Sequence, residues 1–321
     1  MTGRNSITIE SVLNALELLG VKFTWVGKRR EVGKVCSLLA KEPGGLYYFS
    51  GTNAADLSGL VESVVICRPG LVLDQTAELS FIEVIEDPQL VFYRLCAHML
   101  GSRPLPGIHP TAIIHVEAKL GEGVHVGPYA VIGSSVIGND TIIHAHVVVM
   151  DDCVIGDRVV IEPNCCIGGN GVAWIWDTDG KRVILPQVGG VVIEDDVFLG
   201  TDVTIVRGML NEATTIGART LIAHGSKIGH SSRLGKDCHL ANNVSIAGSV
   251  AIGDRCFLGS GCSVRPHVKL PPDTIVGVGA AVVSNILQPG CTLVGVPAGV
   301  IAKKDKQTGV PRRPEDHSTR L

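Results

Sequence analysis

The chain has 321 residues, is 45% hydrophobic and 18% charged, and carries a formal net charge of −3, which leaves no basic footprint for nucleic acid. No apolar run approaches the roughly 20 residues a membrane helix needs, and the opening MTGRNSITIE lacks the apolar stretch of a signal peptide, so a cytoplasmic protein without a membrane span is expected. Aromatic residues are only 4% and glycine reaches 39 residues, which favours thin β structure filled by small aliphatic side chains over a helical bundle.

Residues 1–105 read as a small α/β domain. ESVLNALELLG resembles a short helix, and SVVIC and FIEVIE resemble strands. In DPQLVFYRLCAHMLG, Asp87 suits an N-cap, Pro88 the first helical position and Gly101 the stop. SRPLPG at 102–107 is a natural junction.

From there to residue 301 an aliphatic residue recurs at every sixth position. Ile108, Ile114, Leu120, Val126 and Ile132 form the first run; after a slip of one residue come Ile137, Ile143, Val149, Ile155, Ile161 and Ile167. Ile193, Leu199 and Ile205 follow, and then a long run from Ile216 to Val282. No helical or hairpin period gives this spacing. Three short strands per coil, eighteen residues per triangular turn, do give it: a mainly β, parallel β-helix over 106–301. Two stretches break the period, the loop 168–190 and VRGMLNEATT between Ile205 and Ile216, and interruptions of a solenoid are where binding loops sit. The segment 302–321 is polar and proline-containing and reads as a flexible tail. Ten cysteines occur without a C-x-x-C pair, so they read as reduced thiols filling small core positions, with no metal site.

Several residues stand out for chemistry. Trp174 and Trp176 in the first loop suit either stacking on a sugar or base, or packing against a neighbouring subunit. His224 and His230 lie one hexapeptide apart, each two places after an aliphatic anchor, and so occupy equivalent places on successive faces. Gly248 follows His230 by eighteen residues and is expected to stack on it. His267 follows by two coils and one residue, on the same side roughly 10 Å away. Acyl transfer requires a base and a donor to the oxyanion, and His230 with the Gly248 N–H is placed to supply both. A solvated corner histidine is the competing explanation for His230.

Residues 1–300 resemble the UDP-3-O-acylglucosamine N-acyltransferases of lipid A assembly. The resemblance rests on GIHPTAIIHVEAKLGEGVHVGPYAVIG, WDTDGKRVILPQVGGVVI and TTIGARTLIAHGSKIGHSSRLGKDCHLANNVSIAGSVAIG. It implies a left-handed coil, a catalytic His230, an oxyanion-hole Gly248, a second active-site histidine at His267, and Tyr48 stacked on the nucleotide base. A homotrimer with sites between subunits follows from the same resemblance. There are departures: Ser231 stands where the family has asparagine after the catalytic histidine, Val206 replaces the aspartate of I-D-R-G, and Gly51 falls at an asparagine position. The ending LVGVPAGVIAKK is similar to coenzyme A-dependent sugar acetyltransferases.

The function expected from these features is N-acylation of a nucleotide-linked amino sugar, with acetyl-coenzyme A as the donor and His230 as general base. An imidazole ordinarily titrates near 6.5, suited to that role. His224, His267, Trp174, Trp176 and Tyr48 are expected to contact the substrates. No metal or redox cofactor is required; the acyl-coenzyme A or acyl carrier protein is a co-substrate. The alternative is the lipid A enzyme itself with an acyl carrier protein donor. A remoter alternative is a metal hydratase similar to γ-class carbonic anhydrases, using His224, His230 and His239.

Overall fold

The computed structural model describes residues 7–71, 78–101 and 103–301, so the expected tail at 302–321 lies outside the described residues. The chain divides between Arg103 and Pro104 into two compact units. No described helix is long and apolar enough to cross a membrane.

The first unit holds helix α1 (Ile9–Leu18), strands β1 (Phe23–Val26), β2 (Lys34–Val35), β3 (Gly45–Phe49), β4 (Ser63–Cys67) and β5 (Leu79–Val84), and helix α2 (Pro88–Leu100). The sheet order is β1-β5-β4-β3-β2, parallel except for the antiparallel β1. Alternation splits the strand residues between two cores. Leu46, Val64, Ile66 and Ile82 pack on Ile9, Val12 and Leu16 of α1 and Val91 and Leu95 of α2. Tyr47, Phe49, Val65 and Phe81 pack beneath Leu57 and Leu60. Burial on both faces explains why β4 reads as an unbroken apolar run. Asp87 caps α2 by accepting from Gln89 N (2.8 Å) and Leu90 N (3.1 Å), with Pro88 in the first turn and Gly101 at the end.

The second unit is a three-faced parallel β-helix. We call its sheets faces I, II and III, with eleven, nine and eight strands, starting at Gly107–Ile108, Ile113–Ile114 and Lys119–Leu120. The aliphatic anchors point inward and form one continuous core from Val124 to Leu293. A coil has no partner for its own apolar corner until the next coil covers it; Ile108, in the first coil, is still 53% exposed. Backbone bonds climb from coil to coil, as in Lys227 N to Val244 O (2.9 Å) and Ser245 N to Cys262 O (3.0 Å). The one-residue slip falls at Gly133–Ser135, where the chain passes from face II to face III.

Buried hydroxyls stitch the corners. Thr220, Ser226 and Ser232 each donate to a carbonyl fifteen residues ahead and accept an N–H eighteen residues ahead. At the III/I corner, residues in the left-handed region form an alternating stack: Asp140, Arg158, Asp196, Arg219, Asp237, Arg255 and Asp273. Forked ion pairs join Arg158 to Asp196, Arg219 to Asp237 and Arg255 to Asp273 at 2.7–2.9 Å. All ten cysteines are free thiols. Burial pushes Cys153 and Cys165 up to about 11 and Cys262 to about 12, so these remain protonated core fillers.

Candidate active site

Both departures from the repeat leave the β-helix at the same corner. Residues 170–189 connect Cys166–Gly169 of face II to Gly190–Ile193 of face III, and residues 207–212 connect Thr204–Val206 to Ala213–Ile216. Higher along that II/III edge come His230, Gly248 and His267, each between a face II strand and the following face III strand. One edge therefore carries both long departures from the repeat and five of the expected site residues, His230, Gly248, His267 and the two tryptophans of the first loop.

His230 and Gly248 meet as their spacing implies. A Cβ built on Gly248 would lie 2.3 Å from His230 Nε2, so the imidazole occupies the space a side chain would take. Gly248 has no left-handed φ; glycine is required there for room, not for conformation. His230 O accepts from Ser249 N (2.7 Å), and Gly248 O accepts from His267 N (3.1 Å), which ties the three levels together. His230 Nδ1 is buried without a hydrogen-bond partner among the described residues. Nε2 is the ring nitrogen on the Gly248 side. A Cβ on Gly229 would lie 2.6 Å from Gly248 N, so Gly229 keeps that amide uncovered. His267 is exposed and left-handed at φ 63°, stacked above Ser249 and one place along from the His230–Gly248 column.

The two loops are laced to each other and to this corner. Val188 N and Gly189 N donate to Met209 O (2.9 Å) and Gly208 O (3.1 Å), and Gly208 N donates to Gly190 O (3.0 Å). Met209 N donates to Ser231 Oγ (3.2 Å), Ser231 N to Thr214 Oγ1 (2.8 Å), and Thr214 Oγ1 to Val206 O (2.6 Å). Arg207 reaches down the edge to Asp151 O (2.7 Å) and Asp152 (3.4 Å). Buried Gln187 accepts the Gly171 N–H. None of Gln187, Arg207, Met209, Thr214 or Ser232 emerged from the sequence as a site residue. Only Ser232 carried a signal, since Thr220, Ser226 and Ser232 repeat a hydroxyl at a fixed hexapeptide place.

The first loop is not irregular throughout: Trp174–Trp176 and Arg182–Ile184 pair as an antiparallel hairpin. Trp174 and Trp176 are exposed and meet edge to face at 4.9 Å, with the Arg182 guanidinium 4.9 Å and 5.4 Å from the two rings. His224 lies elsewhere, at the I/II corner, where its Nδ1 accepts from Thr201 N (2.9 Å). His239 points outward on face I, edge-on to Phe257 at 5.0 Å, and burial holds its imidazole below the usual range. Within one chain His224, His230 and His239 are thus not brought together. Among the described residues no group of three or more His, Cys, Asp or Glu shares a metal-sized space.

In the first unit, Tyr48 is half-buried on β3. It packs 4.9 Å from Phe92 and 6.1 Å from Tyr93, in the wall of a cavity of about 540 Å³ that also includes Ser37, Ser50 and Phe49.

Residues 134–169 match the family described as bacterial transferase hexapeptide (six repeats), and residues 249–283 match the hexapeptide repeat of succinyl-transferase. A UDP-3-O-acylglucosamine N-acyltransferase of Coxiella burnetii is 32% identical over 173 residues, 46% of this chain and 50% of that protein. One from Legionella pneumophila is 33% identical over 208 residues, 59% of this chain and 58% of that protein. The UDP-N-acetylglucosamine O-acyltransferase structure from Moraxella catarrhalis aligns with a TM-score of 0.55 at 28% identity, over 60% of this chain and 73% of that one. The Francisella novicida UDP-N-acetylglucosamine acyltransferase gives 0.54 at 28% identity, over 60% and 68%. The chain spans about half the length of the curated relatives it matches, and over that span it is a hexapeptide-repeat β-helix similar to the UDP-3-O-acylglucosamine N-acyltransferases.

Proposed function

We propose that this protein is an acyltransferase that moves an acyl group from a thioester to the amine of a nucleotide-linked amino sugar. The observation that carries the reading is the fit of the His230 imidazole into the space above the Gly248 backbone. His230 Nε2 takes the proton of the attacking amine. The thioester carbonyl carbon bonds to nitrogen, its oxygen gathers charge beside the Gly248 N–H, and the C–S bond breaks as the thiol leaves with a proton. Tyr48 and its cavity in the first unit suit a nucleobase, for which an aromatic face contributes about 1–3 kcal/mol. Trp174, Trp176 and His267 stand on the His230 edge, available to the acceptor or donor. His224 belongs to another corner, so its contribution requires a second copy of the chain.

The relatives' names weigh toward UDP-3-O-acylglucosamine as acceptor, over the acetylation of another amino sugar. The deciding experiment pairs that acceptor with acetyl-coenzyme A, longer acyl-coenzyme A and acyl carrier protein donors. His230→Ala should lose at least about two orders of magnitude in turnover with the fold intact. Turnover within a few-fold of the parent removes His230 as the base. Faster turnover with acetyl-coenzyme A than with any longer donor restores the acetyltransferase reading.

A further inference from the structure

We infer that Ser232 is a positioning residue that aims the oxyanion donor, an inference that rests on the acyltransferase reading above. Ser232 is fully buried at the II/III corner, two residues past His230. Its hydroxyl donates to Ala247 O (2.9 Å) and accepts from Val250 N (3.3 Å), which leaves it no role at the surface. The peptide it holds is Ala247–Gly248. A trans peptide is planar, and its N–H points opposite to its C=O. Anchoring the Ala247 carbonyl inward on Ser232 therefore turns the Gly248 N–H away from the core, toward the edge that carries the imidazole. The far side of Gly248 is fixed as well, since its own carbonyl accepts from His267 N (3.1 Å). Among the described residues no protein acceptor takes the Gly248 N–H, so it is both oriented and free. A preorganised donor of this kind costs no reorganisation during the reaction. The hydroxyl that sets it is chemically identical to hydroxyls with a purely architectural role elsewhere in the coil.

That identity supplies the control. Ser226 makes the same pair of bonds at the I/II corner, to Ala241 O (3.2 Å) and from Val244 N (3.2 Å). Ser232→Val and Ser226→Val delete equivalent bonds from the same scaffold and add the same single heavy atom at two equally buried corners, so the packing change is matched between them. Ser232→Val is expected to lower kcat about tenfold or more, short of the loss from removing such a donor outright, with KM and the pH midpoint of kcat unchanged. Ser226→Val should match its stability loss and keep parent kcat. Ser232→Thr should restore turnover, because Thr220 makes this same bond pair in the coil. A second readout is independent of turnover: the Gly248 amide nitrogen resonance should move in Ser232→Val and stay in Ser226→Val. A Gly248 resonance that does not move, or one that moves while kcat holds, overturns the positioning role and leaves the acyltransferase reading standing. Equal kcat losses in both valine variants reduce Ser232 to architecture. Absence of acyl transfer by the parent protein with every donor overturns the reading itself, and this role with it.

Discussion

Glycine at position 248 is a spatial requirement, which makes it testable with the smallest possible change. Gly248→Ala keeps the amide and adds one methyl, 2.3 Å from His230 Nε2. The ring has to swing away, since the backbone on the other side is held by Ser232 and His267. Turnover should fall at least about a hundredfold, by displacement of the base from its donor, while the thermal midpoint changes little because the corner is not a core position. Near-parental turnover would show that the ring does not work from the position described. His239 yields a prediction of a different kind. Burial lowers its imidazole below the ordinary 6.5, so the unfolded chain binds the proton more readily. The associated stability is fully present above about 6.5 and is lost as pH falls through the window below it. His239→Gln should flatten the decline of the urea midpoint between pH 7 and pH 5; an unchanged decline removes His239 as its source. The eighteen-residue spacing made the His230–Gly248 pair legible in the sequence, because the β-helix converts that interval into direct stacking. The Ser231–Met209 and Thr214–Val206 bonds were not legible, since they exist only after the six-residue excursion 207–212 has closed on itself.

At the level of elements, strictly local chemistry was the most readable. The limits of α2 followed from Asp87, Pro88 and Gly101 because capping involves only neighbouring residues. The Trp174–Ile184 hairpin was not recognised, and the physical reason is its patterning. Ile175 and Val183 face one side, Trp174, Trp176 and Ile184 the other, so no polar–apolar alternation marks the strands; the turn around Gly180 was the one available sign. The hairpin root, the 207–212 excursion and the His230 corner form a single hydrogen-bonded chain through Ser231. Ser231→Ala removes the acceptor of the Met209 N–H and should destabilise the protein by about 1 kcal/mol. Amide exchange across 207–212 should accelerate, with a smaller turnover loss than His230→Ala. Unchanged exchange at Met209 would show that the excursion is held in place by its other bonds alone. Ser231 sits at φ 57°, a region in which asparagine is at ease, so Ser231→Asn tests whether the family's residue serves the same latch.

For the whole molecule, the outward residues of the three faces decide where a second copy fits. On face II the upper coils present Thr204, Lys227, Ser245, Ser263 and Ala281, and on face III Thr215, Arg233, Ala251 and Lys269. Face I instead presents Phe198, Leu221, His239, Phe257 and Ile275. The III/I edge beside it is already neutralised by its own arginine–aspartate stack. An apolar stripe of this length beside a self-satisfied charged edge is the surface expected to be covered in solution, and a trimer, as the family resemblance implies, would supply the covering copies. Phe257→Glu places a carboxylate in the middle of the stripe without touching the inward anchor Leu258. If face I is the contact, sedimentation should show the parent as a trimer and the variant as a monomer, with an unchanged far-ultraviolet spectrum. Lys227→Glu on face II should remain a trimer. Because the His230 site lies on the II/III edge, residual turnover by the monomeric variant also measures how much of the site a single chain provides. A Phe257→Glu protein that sediments like its parent would move the contact off face I, and a monomeric parent would remove the trimer altogether.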